Sequence, residues 1–321
     1  MNGIIQQENG LEVVTQADLL ERFKDYLIMQ GKAESTVDTY VLRLAKFFEW
    51  LGDLPWYAVQ PPDVVRYRDD LGQSYSAPSI ALHLTAARRF YSKLVGDGVL
   101  AANPFSEVQA PVRNGSRKHK RDTISRQEWI ALLETAQEGK ANDKRDKAIL
   151  VLAYELGLRE VEIVRADIAD LKNNAGVRVL WVQSKGSNDK GDWMVLPESV
   201  EAVINDWLAA RSDEPGALFT SMSRRNYGGR LSTAAIRQVW NARKRAAGIA
   251  DPDGAKTFHS LRHTAIDSRA RYAVKHGKSP FLVQTFARHK SIDTTMGYIH
   301  DIGRLDDPPE LWGTNVNGNG E

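Results

Sequence analysis

The chain of 321 residues contains no cysteine, which excludes disulfides, thiolate zinc sites and a cysteine nucleophile. Long apolar runs are also missing. The most hydrophobic stretch, 148–158, is interrupted by Glu155 and falls short of the ~18 residues that suggest a membrane span. The opening MNGIIQQENG has no basic segment followed by an apolar one, so no secretory signal is expected. A cytoplasmic protein without a membrane partner is the expectation. Net charge is only +2, too mild to announce a partner by itself. What is present is 42% hydrophobic and 26% charged residues, enough for buried cores in roughly two domains.

The distribution of charge says more than its sum. Between Arg113 and Arg126 six Lys/Arg face a single acid, Asp122. Between His259 and Arg304 eight Lys/Arg face Asp267, Asp293 and Asp301. A phosphate backbone would select such blocks, although solvated protein faces produce similar runs.

Apolar spacing organises the first third into helices. Val37, Tyr40, Val41, Leu44, Phe47, Phe48 and Leu51 form one buried stripe, with Ser35 as the expected cap and Gly52 as the stop. Further helices are expected near 17–30, 61–71 and 79–95. Residues 1–14 read as a flexible N-terminus and 15–110 as a small helical domain. PVRNGSRKHKRD, 111–122, has no apolar periodicity and reads as a basic linker. A second domain, 123–305, opens on the capping box Ser125-x-x-Glu128. It continues with helices near 143–156, 232–247, 260–276 and 280–288. Runs 177–182 and 193–196 flank SKGSNDKGD and suggest a β-hairpin. A tail, 306–321, follows. The fold class is thus mainly α with a small β-sheet, an α+β second domain following an all-helical first.

Four clusters carry chemistry: Gly157-Leu158-Arg159-Glu160-Val161-Glu162, Ser184-Lys185-Gly186, His259-Ser260-Leu261-Arg262-His263-Thr264, and His289 with Tyr298 nine positions on. Singly, each has an ordinary structural explanation. In this order they resemble the tyrosine recombinase (phage integrase) family over nearly the whole chain. The G-L-R-x-x-E box matches at Arg159 and Glu162, the hairpin lysine at Lys185, and the H-x-L-R-H-[TS] box at His259 to Thr264. The final stretch matches at His289, Thr294, Thr295 and Tyr298.

The resemblance implies catalytic roles for Arg159, Lys185, His259, Arg262, His289 and Tyr298, with Glu162 and His263 as supporting groups. It implies a helical, SAM-like core-binding domain and a catalytic domain forming a two-domain DNA clamp. No cofactor and no metal are expected. The partners implied are a double-stranded DNA recombination site, further copies of the chain as a tetramer in the synapse, and accessory DNA-binding proteins. With no arm-binding domain evident, the simpler Xer- or Cre-like members are the expected kin.

The chemistry agrees. Two guanidiniums can hold both non-bridging oxygens of a phosphodiester and stabilise the charge that builds during attack. His259 is the expected acceptor of the tyrosine proton and Lys185 the donor to the leaving 5′-oxygen, with Lys190 as its rival. Backbone contacts are expected from Arg88, Arg89, Lys118, Lys120, Arg121, Arg243, Lys244 and Arg288. His259 and His263 lie four apart, but without H-E-x-x-H or a third ligand they do not read as a zinc site. The family's L-G before the histidine is replaced by Ala287-Arg288. A type IB topoisomerase or telomere resolvase would use similar chemistry, and an architectural DNA-binding protein with a vestigial site is the non-enzymatic alternative.

Overall fold

The computed structural model describes residues 3–7, 10–111, 122–137, 139–184, 189–211 and 214–303. The chain divides into two compact units, Met1–Arg117 and Lys118–Glu321. The expected linker lies almost wholly outside the described residues, as do the tail and Lys185.

The first unit opens with β1 (Gly3–Gln7) and β2 (Gly10–Val14), antiparallel with Gly3 opposite Val14. Sequence reading expects only a flexible terminus here. Two short β-branched runs around Asn9-Gly10 are the hairpin signal it passes over. Four helices follow: α1 (Gln16–Met29), α2 (Glu34–Leu51), α3 (Pro61–Gly72) and α4 (Ala77–Gly96). Thr15 starts α1 with a capping box, its hydroxyl accepting from Asp18 N while the Asp18 carboxylate accepts from Thr15 N. Ala33, not Ser35, is the N-cap of α2, because the stripe beginning at Val37 draws Ser35 into the first turn. The buried stripes meet in an aromatic core, with Phe47 edge-on to Tyr67, Tyr91 and Phe105.

The second unit is built on α6 (Ala141–Glu155), which follows α5 (Arg126–Glu134) with its Ser125–Glu128 capping box. Ala148 to Ala153 are buried without interruption, so this half of the helix is apolar all round and forms the centre of the core, while its first half carries Asp143, Lys144, Arg145, Asp146 and Lys147. A short helix, α7 (Glu160–Arg165), leads to an antiparallel sheet of β3 (Leu171–Asn174), β4 (Val177–Val182) and β5 (Asp192–Val195), in that order. The expected hairpin is β4–β5, with Trp181 opposite Trp193; β3 is an additional edge strand.

Then come α8 (Glu198–Ala210), α9 (Thr233–Ala246), α10 (His259–Lys275), α11 (Pro280–Ala287) and α12 (Ile292–Gly303). Helices α8 and α10 pack on α6, while α10, α11 and α12 pack on one another. A small separate cluster of Ile266, Ala270, Ala273, Val283, Ala287, Tyr298 and Ile302 joins those last three helices. The fold is mainly helical with a small sheet, and no helix among the described residues is long and apolar enough to cross a membrane.

Candidate active site

Burial of α6 fixes the first arginine. At its end Gly157 turns with φ +59, a left-handed value that costs an L side chain roughly 1–2 kcal/mol. A Cβ there would also meet the Phe286 ring at 3.2 Å. The turn buries Leu158 and sets Arg159 at the start of α7. Glu162, fully buried, accepts from Arg159 N at 2.8 Å and from Arg159 Nη1 at 2.7 Å.

Arg262 reaches the same place from α10. Its side chain is buried and donates to the carbonyl oxygens of Gly157 and Ala287, tying the α6–α7 turn to the end of α11. At that end Arg288 occupies the C-cap with φ 51 and ψ 46, a left-handed conformation for which glycine or asparagine is the usual choice. Its guanidinium turns inward, pairing with Glu162 Oε2 at 2.7 Å and donating to Phe286 O at 2.9 Å and Gly157 O at 3.2 Å. Two guanidiniums therefore pair with one carboxylate, and the third, Arg262, shares the Gly157 carbonyl with Arg288. Burial alone would push the Glu162 carboxyl up, but Arg288 and Arg159, with their hydrogen bonds, hold it below its usual value. Burial, followed by repulsion from Arg159 and Arg288, pushes the Arg262 guanidinium down to about 9.

The imidazoles and the tyrosine sit beside this cluster. His259 is exposed at the start of α10, with the His263 ring one turn on and edge-to-face at 4.5 Å. Tyr298 is 3% exposed, and its hydroxyl lies 2.6 Å from His263 Nδ1. His289 Nδ1 hydrogen-bonds the buried Thr295 hydroxyl at 2.9 Å, and its ring stacks near that of Tyr298 at 5.9 Å between centroids. Tyr298 thus packs its ring in the α10–α12 cluster while directing its hydroxyl to an imidazole.

The structure brings Arg159, Glu162, Arg262 and Arg288 into one hydrogen-bonded group, and His259, His263, His289 and Tyr298 into an adjoining one. Lys185 falls outside the described residues. Lys190 pairs with Asp167 at 2.7 Å and Asp170 at 2.5 Å; burial works against its charge, but the two carboxylates outweigh it and raise its pKa.

Several expected backbone contacts are turned inward. Arg88 donates to Phe105 O and Val108 O, Arg243 pairs with Asp143 and Asp146, Lys244 pairs with Asp251, and Arg288 holds Glu162. The donors of these four are engaged within the fold, as those of Arg159 and Arg262 also are. Arg89 is half-buried on α4, and Lys118, Lys120 and Arg121 lie outside the described residues. Two contacts were missed: Arg288 with Glu162, and His263 with Tyr298. The arginine standing where the family pattern has glycine was the available signal for the first. For the second, the motif assigns His263 a supporting role but gives no sign of its partner.

Among the described residues no group of three or more His, Asp or Glu is placed to hold a metal ion.

Fold and site define a class: a two-domain, mainly helical protein whose second domain gathers arginines, histidines and a tyrosine in one place. A family model described as "Phage integrase family" matches residues 122–303, and "Phage integrase, N-terminal SAM-like domain" matches residues 20–98. The chain belongs to the phage integrase family of tyrosine site-specific recombinases. It is 30% identical over 295 residues to tyrosine recombinase XerC of Haemophilus influenzae (strain PittEE), covering 88% of this chain and 92% of the relative. It is 29% identical over 292 residues to tyrosine recombinase XerD of Pseudomonas putida, covering 88% and 92%. Two solved structures share the fold at a TM-score of 0.68 and 18% identity. One is a lambda integrase dimer bound to a COC′ core site, covering 95% of this chain and 81% of that one. The other is the XerH site-specific recombinase in a post-cleavage complex with palindromic difH substrate, covering 93% and 85%.

Proposed function

We propose that this protein cleaves and rejoins double-stranded DNA at a recombination site through a 3′-phosphotyrosyl link to Tyr298, in integration, excision or resolution of a mobile element or replicon. The observation that carries this reading is the meeting of the Tyr298 hydroxyl with the His263 imidazole, with the His289 ring stacked near the tyrosine ring, beside a cluster of guanidiniums. In this reading Arg159 and Arg262 hold the non-bridging oxygens, and His259 and His289 add hydrogen bonds to the same phosphate. Tyr298 Oη attacks phosphorus, the bond to the 5′-oxygen breaks, and Lys185 gives that oxygen its proton. Glu162 orients Arg159. The link keeps the energy of the phosphodiester, so another strand's 5′-hydroxyl can reverse the step without ATP.

The helical first domain and the catalytic domain would close on the duplex as a clamp joined by the basic segment 111–122. A relative in fold is a lambda integrase tetramer bound to a Holliday junction. That supports four copies of this chain acting on two sites. The test is Tyr298→Phe on a nicked suicide substrate: covalent protein–DNA adduct should vanish while mobility-shift binding persists. Adduct formed by this variant would refute the assignment.

A further inference from the structure

Once Tyr298 is the nucleophile, its proton needs an acceptor. A free phenol has a pKa near 10, so at neutral pH attack depends on a base within hydrogen-bond reach. Sequence reading gives that task to His259. The geometry brings a second imidazole to the phenol. Tyr298 is almost fully buried, which limits direct proton loss to water, and its oxygen lies 2.6 Å from His263 Nδ1. His259 is exposed at the first position of α10, its ring packed edge-on against His263. His289 is engaged through Nδ1 with Thr295.

We propose that His263 is a catalytic residue, the general base for Tyr298. This rests on the phosphotyrosyl reading above. His263 carries its proton on Nε2, leaving Nδ1 to accept the hydrogen bond from the phenol. In the cleavage step the phenolic proton moves to Nδ1, Tyr298 Oη bonds to phosphorus, and the bond from phosphorus to the 5′-oxygen breaks. The leaving oxygen takes its proton from the separate acid. On rejoining, the imidazolium returns its proton to the phenolate. Position supports the role: His263 and Arg262 are neighbours on α10, so the same rigid helix holds the base and a phosphate-binding arginine. His263 has His259 beside it on its own helix, Tyr298 on α12 and, across the tyrosine ring, His289.

The experiment is single-turnover adduct formation by the full-length protein on a suicide substrate, for wild type, His263→Ala and His263→Asn, with DNA binding measured in parallel. Loss of a general base predicts a fall of roughly 100-fold or more in rate with binding retained. The wild-type rate should drop on the acid side as an imidazole protonates, and both variants should lose that limb. A substrate with a 5′-bridging sulfur, whose thiolate leaves without a proton, should rescue Lys185→Ala but leave the His263 variants slow. Added imidazole should partly restore His263→Ala. Adduct formation by either variant at the wild-type rate or faster would overturn the proposal, showing His263 to be a latch or a spacer. Rescue of the variants by the sulfur substrate would also overturn it. Absence of adduct in the wild type would instead remove the phosphotyrosyl reading, and this inference with it.

Discussion

Replacing Arg288 with glycine puts two opposing effects in the same residue. The backbone gains: a non-glycine residue at φ 51 stores roughly 1–2 kcal/mol that glycine does not. The side chain loses more. Its guanidinium is 4% exposed and pairs with a carboxylate that is 0% exposed. Breaking a buried pair by removing one partner costs about 3–5 kcal/mol, because the other charge stays behind uncompensated. Glu162 keeps Arg159 Nη1 and the Arg159 backbone N–H, so the lower end applies. The net expectation is a loss of about 1–2 kcal/mol in urea unfolding of the full chain, and about 1–2 kcal/mol more for Arg288→Ala, which keeps the strain and loses the pair. The pH dependence has a definite sign. The Glu162 carboxyl is held below its unfolded value of 4.5, so its pairing stabilises above that pH and is lost as pH falls through the lower folded value. The gap between wild type and variant should therefore narrow on acidification. A glycine variant as stable as wild type at pH 7 would refute the reasoning, and so would one equal to the alanine variant.

Gly157→Ala should cost about 1–3 kcal/mol, since a Cβ at φ +59 is strained and would press on the Phe286 ring at 3.2 Å; thermal melting checks this. Adduct formation should fall too, because the Gly157 carbonyl holds Arg262. In the first domain His83 is buried, its Nε2 lying 3.1 Å from Arg43 Nη1 and its Nδ1 2.9 Å from the Tyr67 hydroxyl. Arginine can only donate, so Nε2 accepts and the ring is neutral with its proton on Nδ1. Burial, then the Arg43 and Lys46 charges, lower its pKa from 6.5 to about 4. The unfolded chain thus binds the proton first, and stability should decline between pH 6.5 and 4 by on the order of 3 kcal/mol. Urea midpoints at pH 7 and 5 test it, with His83→Gln losing that part of the slope.

The helices were legible in the sequence because one buried face imposes its period on the chain. The stripe from Val37 to Leu51 and the Ser125–Glu128 box both rest on residues within one or two turns of each other. The arginines, histidines and tyrosine that the fold gathers in one place were singled out through motif order. What remained hidden depends on partners far apart in the chain. Arg243 looks like a basic residue on an amphipathic helix, yet its carboxylates, Asp143 and Asp146, belong to α6 about a hundred residues earlier. His263 meets its tyrosine across 35 residues, and Arg288 meets Glu162 across 126. Periodicity tells which face of a helix is apolar but not which polar group waits opposite it. The expected Ser35 cap failed for a smaller reason: the α2 stripe fixes where the helix must be wound, and Ser35 falls inside its first turn, two residues past the Ala33 cap.

The charge count at the site has its own consequence. Arg159, Arg262 and Arg288 bring three positive charges to the single carboxylate of Glu162, and the lowered pKa of Arg262 reflects burial and then its two like neighbours. Folding therefore stores electrostatic repulsion that an anion between the arginines would relieve, as the scissile phosphate would in the proposed reaction. Small divalent anions should bind the folded chain and stabilise it in proportion to RT ln(1 + [L]/Kd). That is about 1.4 kcal/mol at a tenfold excess over Kd. Sulfate also stabilises proteins generally, by exclusion from their surface. The informative quantity is the rise in melting temperature in sulfate over chloride at equal ionic strength, compared between wild type and Arg159→Ala. Exclusion acts on both chains alike, whereas a bound anion acts only where the guanidiniums remain. A larger rise for wild type is expected; equal rises would mean that Glu162 already balances the cluster.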